Sequence, residues 1–239
     1  PGARRRFDRK GWEEGPMNVF DDPDAVASYA ERPKRQVPGF SDMQRMAMLL
    51  LAERAADEAR ILVVGAGGGL ELKVFAEGRP GWRFDGVDPS AEMLKLARLT
   101  LGPLIERVTL HEGEVDAAPD GPFDGASCLL VLHFLPEDAR LRLLREIRRR
   151  LKPGAPLVVV HHSFPRPKAE AELWLSRYAA FAASSGTDPA QAANAAQTMA
   201  ERLPALSPEQ DEAMLREAGF SNVGLFYAAF TFRGWVAYA

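Results

Sequence analysis

Four glycines fall within five positions, at Gly65, Gly67, Gly68 and Gly69, directly after the apolar run Ile61-Leu62-Val63-Val64. Glycine accepts positive φ and lets a ligand approach the main chain. A helix that starts behind such a turn offers unpaired N–H groups. About twenty residues on, a second run, Phe84-Asp85-Gly86-Val87-Asp88, closes on an acid that can accept both hydroxyls of a ribose. A dinucleotide fingerprint would need glycine at position 70, where the chain has Leu70; the spacing present is G-x-G-x-G, from Gly65, Gly67 and Gly69. Each signal has a plain alternative. The glycines would serve any tight strand-to-helix turn, and Asp88 could simply cap the helix that starts near Ala91. Both together at this interval favour an adenosine site.

Proton chemistry points to His133, His161 and His162, three of the four histidines, all at the ends of strand-like runs where open α/β sheets bind ligands. His133 and His161 are the candidate general bases and His162 a substrate contact; each could equally be a core histidine satisfied by a carbonyl. No metal site is expected, because adjacent histidines on a strand point to opposite faces and Cys128 is the only cysteine. Cys128 itself reads as a small buried strand residue. Trp174, Tyr178 and Phe181 share one helix face and either wall a flat substrate, Trp174 and Tyr178 foremost, or pack a helical cap. The run Arg140, Arg142, Arg145, Arg148, Arg149 and Arg150 reads as a solvated helix face rather than a phosphate-binding one.

These residues need elements to hold them. Strands are expected over 61–64, 83–87, 108–111, 125–131 and 157–161, alternating with helices over 70–77, 90–100 and 137–151. Such alternation predicts an α/β fold with a parallel sheet covered on both faces. Ser41 is placed as N-cap of a long helix over 43–59 whose apolar face is Met46, Leu49, Leu50 and Ala56. Two alanine-rich helical runs, 168–183 and 189–202, form a cap inserted over about 165–206. Ser207-Pro208-Glu209-Gln210 reads as a capping box opening a helix to 218. Strands over 223–228 and 230–238 leave no room for a helix between them, so they pair antiparallel. Residues 1–40 form an N-terminal extension and lid arm, with 1–16 poorly ordered, Met17 a possible natural start and 24–31 a short helix; residues 41–239 form one domain.

Composition narrows the classes. The formal charge of -3 makes nucleic acid an unlikely partner. No apolar run approaches a membrane span, no disulfide framework is possible, and a cytoplasmic location is expected.

In order, ILVVGAGGG, GVDPSAEMLKLAR, the stretch EGEVDAAPDGPFDGASCLLVLHFLPED with its following helix and LKPGAPLVVV, and the closing GFSNVGLFYAAFTFRGWVAYA resemble class I methyltransferases that use S-adenosylmethionine (SAM). VPGFSD, LHFLPED, HHSF, the cap and the final hairpin are similar to the carboxy-SAM synthase and related methyltransferase group. The resemblance implies a Rossmann-like sheet and SAM as cofactor, with S-adenosylhomocysteine as product. It implies that Gly65, Ala66, Gly67 and Gly69 line the methionine part, that Asp88 holds the ribose, and that Pro89 and Met93 flank the adenine. Glu114 and Val115 would meet the adenine edge, and Phe40 would lie by the sulfonium with Leu129 near the amino-acid end.

The chain departs from that pattern in three places. Val63 stands where the glycine motif usually carries an acid, and Glu71 could supply that charge from the first helical turn. Leu129 stands where a polar residue is frequent. Ala196 stands where carboxy-SAM synthases place an arginine for the extra carboxylate, and a buried carboxylate without a cation costs several kcal/mol. The expectation is therefore a SAM-dependent methyltransferase acting on a small molecule beneath the cap, with a homodimer possible. The alternatives are a carboxy-SAM synthase-like protein in tRNA wobble uridine modification and a non-catalytic SAM-binding protein.

Overall fold

The computed structural model describes residues 31–239. The expectations for 1–16, for Met17 and for a helix beginning at Asp24 fall outside the described residues. Helix α1 (Arg32–Gln36) carries Pro33 in its first turn, where the missing N–H has no partner to lose.

Helix α2 runs Phe40–Ala52, which corrects both its expected start and its expected face. Gly39, at φ 64°, turns the chain into it, and Ser41 lies in the first turn without capping it. Phe40, Met43, Gln44, Ala47 and Leu51 are buried, whereas Leu49 is 53% exposed. The packed stripe is thus rotated from the one inferred from Met46, Leu49 and Leu50. The helix stops at Ala52, short of the expected limit, and Glu53, Arg54, Asp57 and Glu58 beyond it are exposed.

The other elements follow in alternation: β1 (Arg60–Val64), α3 (Leu70–Gly78), β2 (Arg83–Asp88), α4 (Ala91–Leu101), β3 (Val108–Glu112), β4 (Gly125–Leu129), α5 (Glu137–Arg150) and β5 (Pro156–His162). The sheet order is β3-β2-β1-β4-β5-β7-β6. Its first five strands are parallel; β7 (Phe232–Tyr238) runs antiparallel to β5, and β6 (Ser221–Ala229) closes the edge antiparallel to β7. Two apolar clusters explain the unbroken runs Leu62-Val63-Val64 and Leu157–Val160, because alternate residues feed opposite faces. Val63, Val158 and Val160 pack with α2, α3 and α4; Leu62, Val64, Leu157 and Val159 pack with α5 and helix α8 (Pro208–Glu217).

Strand β4 ends at Leu129, two residues before the expected limit. Leu130 adopts φ 62°, a left-handed conformation that leucine rarely takes, and its N–H bonds to the Val160 carbonyl at 2.6 Å. That turn moves Val131 off the strand and against Gly65.

The chain leaves the sheet after β5 and forms the helical pair α6 (Lys168–Ser184) and α7 (Pro189–Arg202). It returns at a bridge between Ser163 and Leu206 that pins both ends of the insertion. Asp188 caps α7 through the Gln191 N–H, and the Ser207/Gln210 capping box opens α8. Tyr227 of β6 donates to the Pro38 carbonyl, fastening the last hairpin to the arm before α2.

The arginine run on α5 divides: Arg142, Arg145, Arg148 and Arg149 lie on the expected solvated face, whereas Arg140 and Arg150 turn inward. Arg140 and Arg150 are buried; Arg140 pairs with Asp211 of α8 at 2.7 Å and Arg150 with Glu146 at 2.5 Å. Arg142 pairs with Asp138, Arg145 with Glu217 and Arg149 with Asp120, while Arg148 donates to the Gly219 carbonyl. The helix uses its cations to hold α8 and the neighbouring loops.

Candidate active site

The turn after β1 is built from left-handed glycines, with φ 74° at Gly65, 49° at Gly67 and 79° at Gly69. A Cβ on Gly65 would fall 2.1 Å from Val131 Cγ2, so the close approach of the two turns requires glycine there. The N–H groups of Gly65 and Ala66 donate to the Val87 carbonyl at 2.9 and 3.0 Å. Gly67 N–H donates to Asp88 Oδ2 at 2.9 Å, and Ser90 N–H to Asp88 Oδ1 at the same distance. Asp88 therefore locks the glycine turn against the end of β2. It is not the helix cap: Ser90 caps α4 by accepting from Met93 N–H.

Phe40, Met43 and Gln44 of α2, Gly65, Ala66 and Gly68, Leu70 and Glu71 of α3, and Leu129 and Leu130 surround one cleft at this edge of the sheet. Glu71 is buried there, accepting from Ser127 Oγ at 2.6 Å. Burial drives its carboxyl up to about 8, against the smaller opposing effect of the Ser127 bond. On the far side of Asp88, Met93 and Val115 are buried while Pro89 and Glu114 are exposed. Burial, then the neighbouring Asp116, raises the Glu114 carboxyl.

The histidines separate. His133, in a short 3-10 turn after β4, and His162, at the end of β5, meet with ring centroids 4.8 Å apart. His162 N–H donates to His133 Nδ1 at 3.3 Å, and His162 Nδ1 shares a 2.9 Å hydrogen bond with Thr231 Oγ1. His162 stacks on Phe232 and meets the edge of Tyr178 from α6, whose phenol is pushed up to about 12 by burial. Burial, then the other buried histidines, lowers both imidazoles, that of His162 to about 3. His161 points through the opposite face of β5, 3.1 Å from Asp211 Oδ1 and against Trp235, so it does not join them. Trp174 is half-buried, with Arg177 and Arg233 over its ring at 4.6 and 5.3 Å. Phe181 lies 5.9 Å from Phe230.

Gln44, Ser127, Thr231 and Phe232 escaped the sequence reading. Gln44 is a polar residue on a packed helix stripe, and the others are ordinary strand or turn residues whose partners lie far away in sequence. A larger cleft of about 420 Å³ lies at the opposite edge, lined by Glu58, Arg60, Arg83, Arg107 and Asp124. Arg60 there is bound to Asp85, and Arg107 to the carbonyls of residues 76, 79 and 82. Ligands in open α/β sheets sit at the carboxyl ends of the strands, which makes the cleft beside Gly65 the candidate site.

Residues 62–157 match the methyltransferase domain family. Over those residues the chain carries a methyltransferase domain. Its relatives include the carboxy-SAM synthase of Chromohalobacter salexigens, 25% identical over 226 residues, 92% of this chain and 83% of that one. Trans-aconitate 2-methyltransferase of Azoarcus sp. is 38% identical over 123 residues, 50% of this chain and 46% of that one. The fold matches human N-acetylserotonin methyltransferase in complex with SAM at a TM-score of 0.65 and 15% identity, covering 95% of this chain but only 59% of that one. SAM is the cofactor of the family. The residues at this edge suit it: Asp88, bonded to the Gly67 N–H, is a carboxylate for a diol, and within the cleft Glu71 is an acid for an ammonium and Phe40, Leu129 and Leu130 an apolar surround. Among the described residues no cluster of His, Cys, Asp and Glu could hold a metal ion, and no helix is long and apolar enough to cross a membrane.

Proposed function

We propose that this protein transfers the methyl group of SAM to a small molecule held between His133, His162 and the cap. One observation carries the reading: the turn after β4 that borders the glycine cleft leads straight into a buried histidine and aromatic cluster roofed by Tyr178 of α6. When bound, SAM supplies an already activated methyl group, so the protein's main task is alignment, worth at most about 7–11 kcal/mol. Asp88 and the glycine turn would fix the nucleoside, and Phe40, Leu129 and Leu130 would keep water from the sulfonium.

The histidines suit positioning better than proton abstraction. His133 Nδ1 accepts a hydrogen bond from the His162 backbone, which places the proton of the neutral ring on Nε2. That atom can donate to an acceptor molecule. An imidazole lowered as far as His162 is a weak base. His161, engaged with Asp211 beneath α8, is structural in this reading. The acceptor would arrive already nucleophilic, as a carboxylate, a thiolate or a neutral amine. Trp174 and Tyr178 would shape the acceptor's enclosure.

Carboxy-SAM synthesis is the second reading, favoured by similarity over most of the chain. Ala196, buried in α7 among apolar neighbours, offers no cation for a carboxylate, which supports the first reading. Mass spectrometry of the co-purifying ligand, calorimetry with SAM and transfer of a labelled methyl group to a panel of small acids, thiols and amines test it. Asp88→Ala should weaken SAM binding at least about tenfold while melting cooperatively. His133→Gln, whose amide can donate from a similar place, should keep kcat within about tenfold, whereas His133→Ala raises KM. Recovery of carboxy-SAM, undiminished binding by Asp88→Ala, or tight binding without turnover would each overturn the proposal. A drop in kcat of about 10²–10⁴ in both His133 variants would restore the base.

A further inference from the structure

Strand β1 carries Val63, fully buried in the apolar cluster, where the resembled glycine motif usually carries an acid. Val63 is register partner to Ser127 of β4. Ser127 Oγ, in turn, donates to Glu71 Oε1 at 2.6 Å. Glu71 comes from the first turn of α3, one residue past Leu70, and lines the cleft together with Gly65, Ala66 and Phe40. The helix therefore delivers a carboxyl group next to the strand position that lacks one. Only 7% of Glu71 is exposed, and among the described residues no lysine, arginine or histidine pairs with it. The nearest basic residue on its own helix, Lys73, is committed to Glu77.

We infer that Glu71 receives the α-ammonium group of the cofactor's methionine moiety, and that cofactor binding expels a proton from the Glu71 carboxyl to solvent. The inference rests on the SAM-binding reading above. Its physical basis is that a carboxylate buried without a cation is costly, so the group stays protonated until a cation enters beside it. The ammonium then forms N–H···O bonds to the carboxylate, the O–H bond of the acid breaks, and its proton leaves to the buffer. Elements packed around the group contribute little else that titrates. From β4 come the Ser127 hydroxyl and the Cys128 thiol, which burial first and Glu71 second push up so that it stays protonated. From α2 come Met43 and Gln44, and from the turn only main chain. Burial holds Glu71 at about 8, so near pH 7 about nine-tenths of it is protonated before binding.

Calorimetry of the full chain in buffers of differing ionisation enthalpy reads the proton directly, with SAM and with 5′-methylthioadenosine, which carries the nucleoside but no ammonium. Wild type should release close to one proton per SAM at pH 7 and none with 5′-methylthioadenosine. Its SAM affinity should rise about tenfold per unit from pH 6 to 7.5, the sign required when binding releases a proton. Glu71→Gln should lose about tenfold or more in SAM affinity, keep its affinity for 5′-methylthioadenosine, release no proton and show a flat pH profile. SAM binding without proton release, a Glu71→Gln variant that still releases a proton, or equal losses for both ligands would overturn this inference while leaving the SAM reading intact. Failure of wild type to bind SAM or 5′-methylthioadenosine would instead sink the SAM reading itself.

Discussion

At the scale of single residues, the site is set by what burial does to groups that the sequence shows only as letters. Glu71 is written as one acid in an amphipathic helix, yet desolvation raises its carboxyl to about 8. Its effect on stability has a definite sign. The folded chain keeps the Glu71 proton up to about 8, whereas the unfolded chain releases it near 4.5. The stabilisation is complete below that lower value and is lost as pH rises through the folded one, with a slope near 1.4 kcal/mol per pH unit between. Urea midpoints from pH 4.5 to 8 should therefore fall more steeply for wild type than for Glu71→Gln. Parallel curves would show that the carboxyl is ionised in the fold. His133 and His162 follow the same logic in reverse, since burial removes charge from both imidazoles.

At the scale of elements, helices α5 and α8 are joined by charge rather than by apolar contact alone. Arg140 is fully buried and donates to Asp211 at 2.7 Å and to the Pro204 carbonyl at 2.9 Å. Burial alone would raise the Asp211 carboxyl, but His161 and Arg140 hold it below its usual value. Arg140→Ala removes one partner and leaves the other in a dry setting, so a loss of about 3–5 kcal/mol is expected by chemical denaturation. Replacing both, as Arg140→Met with Asp211→Leu, should recover most of it, because a buried ion pair is often no better than apolar residues of similar size. A single variant as stable as wild type would show that α8 is held by its apolar side, through Met214 and Leu215.

At the scale of the whole molecule, the sheet and its cap differ in how firmly they are packed. Strand β5 is buried along its full length. Helix α7 buries only Ala192 and Ala196, two small side chains. Little apolar surface leaves water when the cap closes, so its opening should cost less than global unfolding. Hydrogen exchange should show residues 189–202 protected less than β1, β4 and β5 in the ligand-free protein, and more protected once cofactor and acceptor are both bound. Equal protection of cap and strands without ligand would rule out a cap that opens on its own. That motion would give an acceptor its route to Tyr178 and His162.

The sequence by itself determined the order of strands and helices, the glycine turn, the acid at the end of β2, the antiparallel close and the capping box at Ser207. Each is written in local spacing, and spacing acts through neighbours in the chain. The start of α2 and the end of β4 were not legible, since each is set by a left-handed residue, Gly39 and Leu130, whose conformation no local spacing announces. Nor was the pairing of His133 with His162, of His161 with Asp211, or of Arg140 with the same acid, because those partners are 29 to 71 positions apart. Tertiary structure alone decided which face each side chain meets and how dry that face is, and dryness sets whether a histidine or a glutamate carries charge.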